Sequence, residues 1–195
     1  MPSSPTAPPP ARSWMDDVRD RLSAREPVVA TPSPGIRRAA VLVPLFVKDG
    51  GLWVLLTRRT ESLEHHRGQI SFPGGSAEDD DDSPLETALR ETDEEIGVRA
   101  EDVKPLGTLS PLTTVTNFYV EPFVGAIPNP YPFRVAEAEI AELIEVPVAT
   151  LLDPKVLETR MLPGREEPVL FYHHGDHVIW GVTARILKEF LDALR

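Results

Sequence analysis

The sequence predicts an α/β fold, a layered sandwich around a mixed sheet, and three observations carry that expectation. Apolar runs with strand character recur along the chain, beginning with AAVLVPLFV from Ala39 and LWVLLT from Leu52. Helical patterns lie between and after the strands, the clearest from Pro84 to Ile96. A length of 195 residues suffices for one domain with a substantial core plus a tail or two.

Residues 1 to 12, MPSSPTAPPPAR, are rich in Pro and Ser and read as an extended or disordered tail. Ser13 to Ala24 reads as a helix with Trp14, Val18 and Leu22 on one stripe and Asp16, Asp17, Arg19 and Asp20 outside it. It is expected to pack onto the domain or a partner, and it would suit a dimer contact. Glu26 to Gly35 is a proline-punctuated linker, so residues 1–35 form an N-terminal tail with one amphipathic helix and residues 36–195 the domain.

Two strands open the domain, joined by the turn Lys48-Asp49-Gly50-Gly51. Pro44 cannot donate to a ladder, which makes the first an edge or bulged strand. Glu61 to Gln69 is a polar loop, and Ile70 to Phe72 leads into the pair Gly74-Gly75. An acidic loop follows, and then a helix whose ends are both legible. Ser83 is a good N-cap, Pro84 fits the first helical position, Glu86 completes a capping box and Gly97 closes the helix. Leu85, Ala88, Leu89, Thr92 and Ile96 make its apolar stripe. Strands are expected at Val103 to Leu109 and Phe118 to Ala126, a helix at Ala136 to Glu145, and further strands at Leu157 to Leu162, Val169 to Tyr172 and Val178 to Ile179. A last helix runs from Thr183 to Leu194, with Ala184, Leu187, Leu191 and Leu194 on one face. No internal repeat is visible.

Composition bounds the function. A formal net charge of -11 argues against a nonspecific nucleic-acid binder, which needs Lys and Arg to neutralise phosphates. Small anionic ligands remain open to it, since a metal ion and a few basic residues can bind them locally. The absence of cysteine rules out disulfides and thiolate metal sites and is compatible with a reducing cytosol. The longest apolar run, Ala39 to Val47, is too short to span a bilayer, and the N-terminus lacks a basic-then-apolar signal pattern. A cytoplasmic protein acting on a small molecule, as a monomer or homodimer, is expected.

The chemistry concentrates on the helix after the glycine pair. At about 100° per residue, Glu91, Glu94 and Glu95 share one arc, and Arg90 stands one turn before Glu94. Oxygen-only ligands of this kind suit Mg2+ or Mn2+, ions that commonly bridge to bound phosphate oxygens. A solvated acidic face would carry the same pattern. The Gly74-Gly75 turn favours the metal reading, because glycine lets backbone approach an ion or phosphate closely.

GG, an acidic residue and then Arg90-Glu91-Thr92-Asp93-Glu94-Glu95-Ile96-Gly97-Val98 resemble the signature of the Nudix hydrolases, which cleave a nucleoside diphosphate linked to another group. Thr92 stands where the family more often has an aliphatic residue, and the spacing before Arg90 is one residue longer than the general signature, with Asp81 or Asp82 in the acidic position. That lengthening resembles the coenzyme A pyrophosphatase branch. Leu55-Leu56-Thr57 with Arg59, then Gly68 ahead of Phe72-Pro73-Gly74-Gly75, is similar to an extra signature of that branch, and His66 and Gln69 fit the same loop. Ile179-Trp180-Gly181 with Thr183-Ala184-Arg185 is similar to its C-terminal motif. Two departures are Thr60, where Ser or Ala is usual, and Glu64, where Arg is usual; Arg67 stands three residues on.

The resemblance implies a Nudix-type α/β/α sandwich with a loop-helix-loop catalytic motif, and metal-dependent hydrolysis of coenzyme A or acyl-coenzyme A to 3',5'-ADP and the corresponding 4'-phosphopantetheine. Glu91, Glu94 and Glu95 would hold Mg2+ or Mn2+, with the Gly74 or Gly75 carbonyl contributing and Arg90 holding Glu94 in place. Glu91 and Glu139 are the candidates for general base, although Glu139 also reads as a solvated residue of an acidic helix. Arg58, Arg59 and Arg67 are the nearest candidates for phosphate contacts, with Gly68, Gln69, Gly74 and Gly75 completing the substrate site. Alternation along a strand sends Arg58 and Arg59 to opposite faces, so only one of them can reach the site. A Nudix enzyme for another substrate such as ADP-ribose, or a catalytically silent nucleotide-binding module, are the alternatives.

Three other features read as structural. His173, His174 and His177 flank Gly175-Asp176 and suggest a hairpin turn rather than a zinc site. The acidic run Glu78 to Asp82 could bind an extra cation but better suits a solvated loop ahead of a helix N-terminus, and Trp180 either walls a pocket or belongs to the core, with core preferred.

Overall fold

The computed structural model describes residues 11–25, 32–61, 68–165 and 167–195. Residues 1–10, most of the expected linker and most of the loop after Glu61 lie outside that set. The chain begins with α1 (Ala11–Ser23), followed by β1 (Arg37–Lys48), β2 (Gly51–Arg59), β3 (Ile70–Ser71) and β4 (Gly74–Ser76). Helix α2 (Pro84–Ile96) precedes β5 (Lys104–Thr108), β6 (Leu112–Thr113), β7 (Phe118–Ala126) and β8 (Ile140–Pro147). A short helix α3 (Val148–Leu151), strands β9 (Leu157–Arg160), β10 (Val169–His174) and β11 (His177–Trp180), and helix α4 (Gly181–Ala193) complete the chain.

The main sheet is mixed, in the order β3-β2-β1-β7-β5, with β4 also on β1, β6 on β7 and β8 on β2. β1 runs parallel to β7 and antiparallel to β2 and β4. Both of its faces are covered, which is why its sequence reads as a continuous apolar run. Ala40, Leu42 and Phe46 face one side and pack with Leu55, Ala88, Ile96 and Val98, beneath α2. Val43 and Leu45 face the other, with Val54, Leu56, Val18, Leu22, Ile186, Leu187 and Phe190, beneath α1 and α4. The result is the expected α/β/α sandwich. A separate antiparallel sheet, β11-β10-β9, leads into α4.

Two expectations are overturned. Pro44 does not mark an edge: it lies within the interior strand, opposite Gly125 of β7. On its other side, pairing with β4 ends at Val41 and pairing with β2 begins at Leu45. The proline occupies the handover between two neighbours, where no ladder hydrogen bond is lost. Ala136 to Glu145 is not a helix. Residues 137–139 form a turn, and from Ile140 the chain is β8, antiparallel to β2 from Trp53↔Pro147 to Arg59↔Ile140. Ile140, Ile144 and Val146 are buried along it, and that burial against β2 outweighs the helical preference of the Ala and Glu residues.

Helix α1 packs onto the domain itself. Leu22 lies over Gly107 of β5, where a Cβ would crowd it. Trp14 donates to the Gly50 carbonyl at 3.1 Å, Arg21 donates to the Leu194 carbonyl at 3.0 Å, and Arg25 pairs with Glu189 at 3.0 Å. The α2 ends are built as expected. Ser83 Oγ accepts from the Glu86 N–H, and Gly97 is left-handed at φ 73°. Glu86 reaches the N–H of Asp82, one residue earlier than a standard capping box.

Candidate active site

Helix α2 and strand β4 create the site together. Thr87, Ala88, Thr92 and Ile96 anchor the buried side of α2, which turns Glu91 and Glu95 towards β4. Gly74 is held against β1, where a Cβ would overlap the Ala40 carbonyl oxygen, and its φ of 150° is one that side chains avoid. At Gly75 a Cβ would occupy the space of the Glu91 carboxylate. Gly74 is therefore required by backbone and conformation, while a side chain at Gly75 would displace the Glu91 carboxylate from its place.

Glu95 is 4% exposed. Arg59, reaching from the end of β2, donates to its Oε1 at 3.3 Å, while Oε2 is buried with no hydrogen-bond partner. Burial raises the Glu95 pKa to about 8, against the opposing pull of Arg59 and the Gly74 N–H. Burial also raises the pKa of Glu91, with Arg90 opposing it. Arg59 reaches Glu139 as well, at 3.5 Å, so one guanidinium links a carboxylate of α2 to one of the turn before β8. Arg58 turns to the opposite face and pairs with Glu142 across the ladder at 2.9 Å, as strand alternation requires.

Arg90 is the hub on the outer side. It donates to Glu94 at 3.4 Å, the expected contact, but its shorter bonds go to Asp81 at 3.0 and 3.1 Å, to the Ser76 carbonyl at 3.0 Å and to Glu91 at 3.1 Å. The Arg90 guanidinium holds the Asp81 carboxyl well below the usual carboxylate range, and Thr87 Oγ1 adds a 2.8 Å bond. Asp81, rather than Asp82, is the acidic residue tied to the helix. The Glu94 side chain is 61% exposed and stands outside the inner site.

A cavity of about 650 Å³ opens beside these groups. Arg59, Gln69, Gly74, Gly75, Glu91, Glu95 and Glu139 line it, all named from the sequence. Arg58, Gly68, Arg90 and Glu94 do not. Gly68 is left-handed at φ 63° and lies against Glu61. Arg67, with Glu64 and His66, lies outside the described residues. Trp180 is not core: it is 40% exposed and lines the cavity, as do Val115 and Arg165, which sequence reasoning passed over.

The inner site suits a hard divalent cation. A buried carboxylate oxygen without a partner, a second half-buried carboxylate and the adjacent Gly74-Gly75 backbone form an oxygen-rich donor set. Among the described residues, no three His, Cys, Asp or Glu side chains already converge as a metal cluster. Of the three carboxylates that line the cavity among the described residues, Glu91 and Glu95 on α2 stand against the glycine pair and could hold an ion, and Glu94 could join them by turning inward from Arg90. The three histidines flank a β10-β11 hairpin, with His174 opposite His177 and Gly175 at φ 56°, as expected.

Residues 36–166 match the model of the NUDIX domain. The Escherichia coli K12 protein named uncharacterized Nudix hydrolase NudL is 34% identical over 186 residues, covering 90% of this chain and 92% of that protein. The chain belongs to the Nudix hydrolase family. Its members hydrolyse phosphorus-containing anhydrides of small nucleotide substrates and generally use divalent metal ions, which agrees with the donor set beside the cavity. The fold is also similar to a Caenorhabditis elegans Ap4A hydrolase binary complex, with TM-score 0.50 and 20% identity, covering 57% of this chain and 80% of that one. A MutT/nudix family protein from Enterococcus faecalis aligns with TM-score 0.52 and 16% identity, covering 93% of this chain and 66% of that one. Among the described residues, no helix of this Nudix hydrolase is long and apolar enough to cross a membrane.

Proposed function

We propose that this Nudix hydrolase cleaves the diphosphate linkage of coenzyme A or its acyl derivatives, releasing 3',5'-ADP and 4'-phosphopantetheine or its acyl form, in the cytoplasm and with Mg2+ or Mn2+. The observation that carries the proposal is convergence. Three segments that resemble the coenzyme A pyrophosphatase branch are far apart in sequence, yet Arg59, Gln69, Phe72, Gly74, Gly75 and Trp180 to Thr183 contribute to one cavity beside Glu91 and Glu95. Thr183 Oγ1 donates to the Ile70 carbonyl at 3.1 Å, tying the C-terminal segment to the one that precedes the glycines. The catalytic domain would span residues 36–195, with residues 1–35 as its tail.

A diphosphate resists hydrolysis because its negative charge repels nucleophiles. A divalent ion supplies charge neutralisation and a more acidic bound water when present. Glu91 and Glu95 would hold it, with Glu94 and the Gly75 carbonyl completing the donor set. Arg90, clamped by Asp81, would fix Glu91 and keep Glu94 within reach. Arg59 would orient Glu95 and present positive charge towards the phosphates, as would Arg67. Gln69 and the Gly74-Gly75 backbone would position the linkage, and such positioning is a large share of phosphoryl-transfer catalysis. Glu139 and Glu91 both border the cavity and are the candidates to accept the proton of the attacking water.

Glu64, in place of the branch's usual Arg, favours the alternative of a different nucleoside diphosphate derivative such as ADP-ribose. Chromatography of coenzyme A incubated with the protein and Mg2+ or Mn2+ tests the proposal. Metal-dependent release of 3',5'-ADP supports it; intact coenzyme A alongside cleaved ADP-ribose would transfer the mechanism to the alternative, and no cleavage of either would favour a binding module.

A further inference from the structure

Two of the arginines expected to meet substrate phosphate already hold carboxylates. Arg59 is shared between Glu95 and Glu139, and Arg58 pairs with Glu142. Arg165, on the loop between β9 and β10, is different. It is exposed, lines the same cavity and has no ion-pair partner among the described residues. In a cavity bordered by Glu91, Glu95 and Glu139, with Arg59 held between the last two, it is a cation available to an incoming anion.

Trp180 lines this cavity too, and its ring is braced from behind. Phe171, its cross-strand neighbour in β10, stacks on it with centroids 6.2 Å apart and planes at 12°, and the Arg160 guanidinium sits 4.8 Å from the Phe171 centroid. Phe171 does not line the cavity, so the stack fixes the indole while leaving its exposed surface to the ligand. Val115, 78% exposed, contributes apolar surface from a separate loop. A braced aromatic plane and a guanidinium without an ion-pair partner among the described residues, both lining one cavity, match a planar base carrying a phosphate group.

We infer that Trp180 and Arg165 form the nucleotide-end subsite of this enzyme, with the nucleobase stacked on Trp180 and a phosphate other than the cleaved linkage held by Arg165. The inference rests on the coenzyme A reading for the identity of that phosphate, the 3'-phosphate of the adenosine half. It assigns the discrimination between substrates with and without that group to one residue outside the metal site.

The test is binding of 3',5'-ADP and of 5'-AMP to the full chain in Mg2+, measured by calorimetry and by quenching of tryptophan fluorescence. The unaltered protein is expected to bind 3',5'-ADP about tenfold or more tightly than 5'-AMP, the discrimination typical of a charge-assisted phosphate contact. Arg165→Gln should remove that preference and leave 5'-AMP affinity unchanged. Trp180→Leu should weaken both ligands by about tenfold with the ratio preserved, and Trp180→Phe should restore most of the affinity. Melting curves identify any variant that fails to fold, and the phenylalanine variant then carries the stacking test. No preference in the unaltered protein, or a preference retained in Arg165→Gln, overturns the inference. Failure of the coenzyme A reading is visible separately, as absence of coenzyme A cleavage by the unaltered protein.

Discussion

Replacing Glu95 with glutamine separates what the chemistry needs from what the fold prefers. The Glu95 carboxyl is 4% exposed with Oε2 unpartnered, and burial raises its pKa from 4.5 to about 8. A carboxyl whose folded pKa exceeds its unfolded value stabilises the fold while protonated. That contribution is complete below the unfolded value of 4.5 and is lost as pH rises through about 8. Each tenfold change in proton affinity is worth about 1.4 kcal/mol. The metal-free wild type therefore gives up about 2 kcal/mol between pH 4.5 and 6, and about 4 kcal/mol by pH 8. Glutamine stays neutral throughout. In chelator, Glu95→Gln should melt close to wild type near pH 4.5 and on the order of 10 °C above it at pH 8. Added Mg2+ or Mn2+ should raise the wild-type melting temperature and leave the variant nearly unmoved, and turnover of the variant should be largely lost. Equal melting at pH 8 in chelator would refute the burial argument. Near-normal turnover with a native melting curve would remove Glu95 from the ligand set.

Other residues give independent checks. Gly75→Ala puts a methyl where the Glu91 carboxylate lies, so kcat is expected to fall at least tenfold with a melting temperature close to wild type. Gly74→Ala meets β1 backbone at a φ of 150° and should cost about 2 to 4 kcal/mol in denaturant unfolding. Asp81→Asn releases Arg90. Because Arg90 depresses the Asp81 pKa, that pair stabilises the protein above about pH 4 and its contribution fades as pH falls. The variant should therefore be less stable at pH 6 and lose less stability than wild type between pH 5 and 2, a difference readable by circular dichroism. Thr183→Val leaves the Ile70 carbonyl without its donor and should cost about 1 to 2 kcal/mol in the same unfolding assay.

How much of this was legible in the sequence depended on range. Helix α2 was readable to the residue because Ser83, Pro84, Glu86 and Gly97 act on backbone within one turn of themselves. β8 was misread because its Ala and Glu residues favour a helix locally, while the partner that makes it a strand, β2, lies some eighty residues earlier. Pro44 misled for a similar reason: the rule places proline at an edge, and only the handover from β4 to β2 shows how an interior strand accommodates it.

The candidate site divides along the same line. Glu91, Glu95 and the glycine pair were found because one helix and one short loop carry them. Asp81 could not be chosen over Asp82 without the Arg90 geometry. For Trp180 the sequence left pocket wall and core both open, with core preferred because tryptophan is mostly buried, and Arg165 drew no notice because its neighbours in sequence carry no motif. The choice for Trp180, and any role for Arg165, were decided only where β11, α4 and the β9-β10 loop meet one cavity.

The central claim is the substrate, and the most direct measurement is kcat/KM of the Mg2+-loaded protein for coenzyme A, acetyl-coenzyme A, ADP-ribose and a dinucleoside polyphosphate under one set of conditions. The account predicts that coenzyme A or its acetyl form exceeds the others by at least tenfold, with 3',5'-ADP as the shared product. A higher kcat/KM for ADP-ribose or the dinucleotide would contradict it.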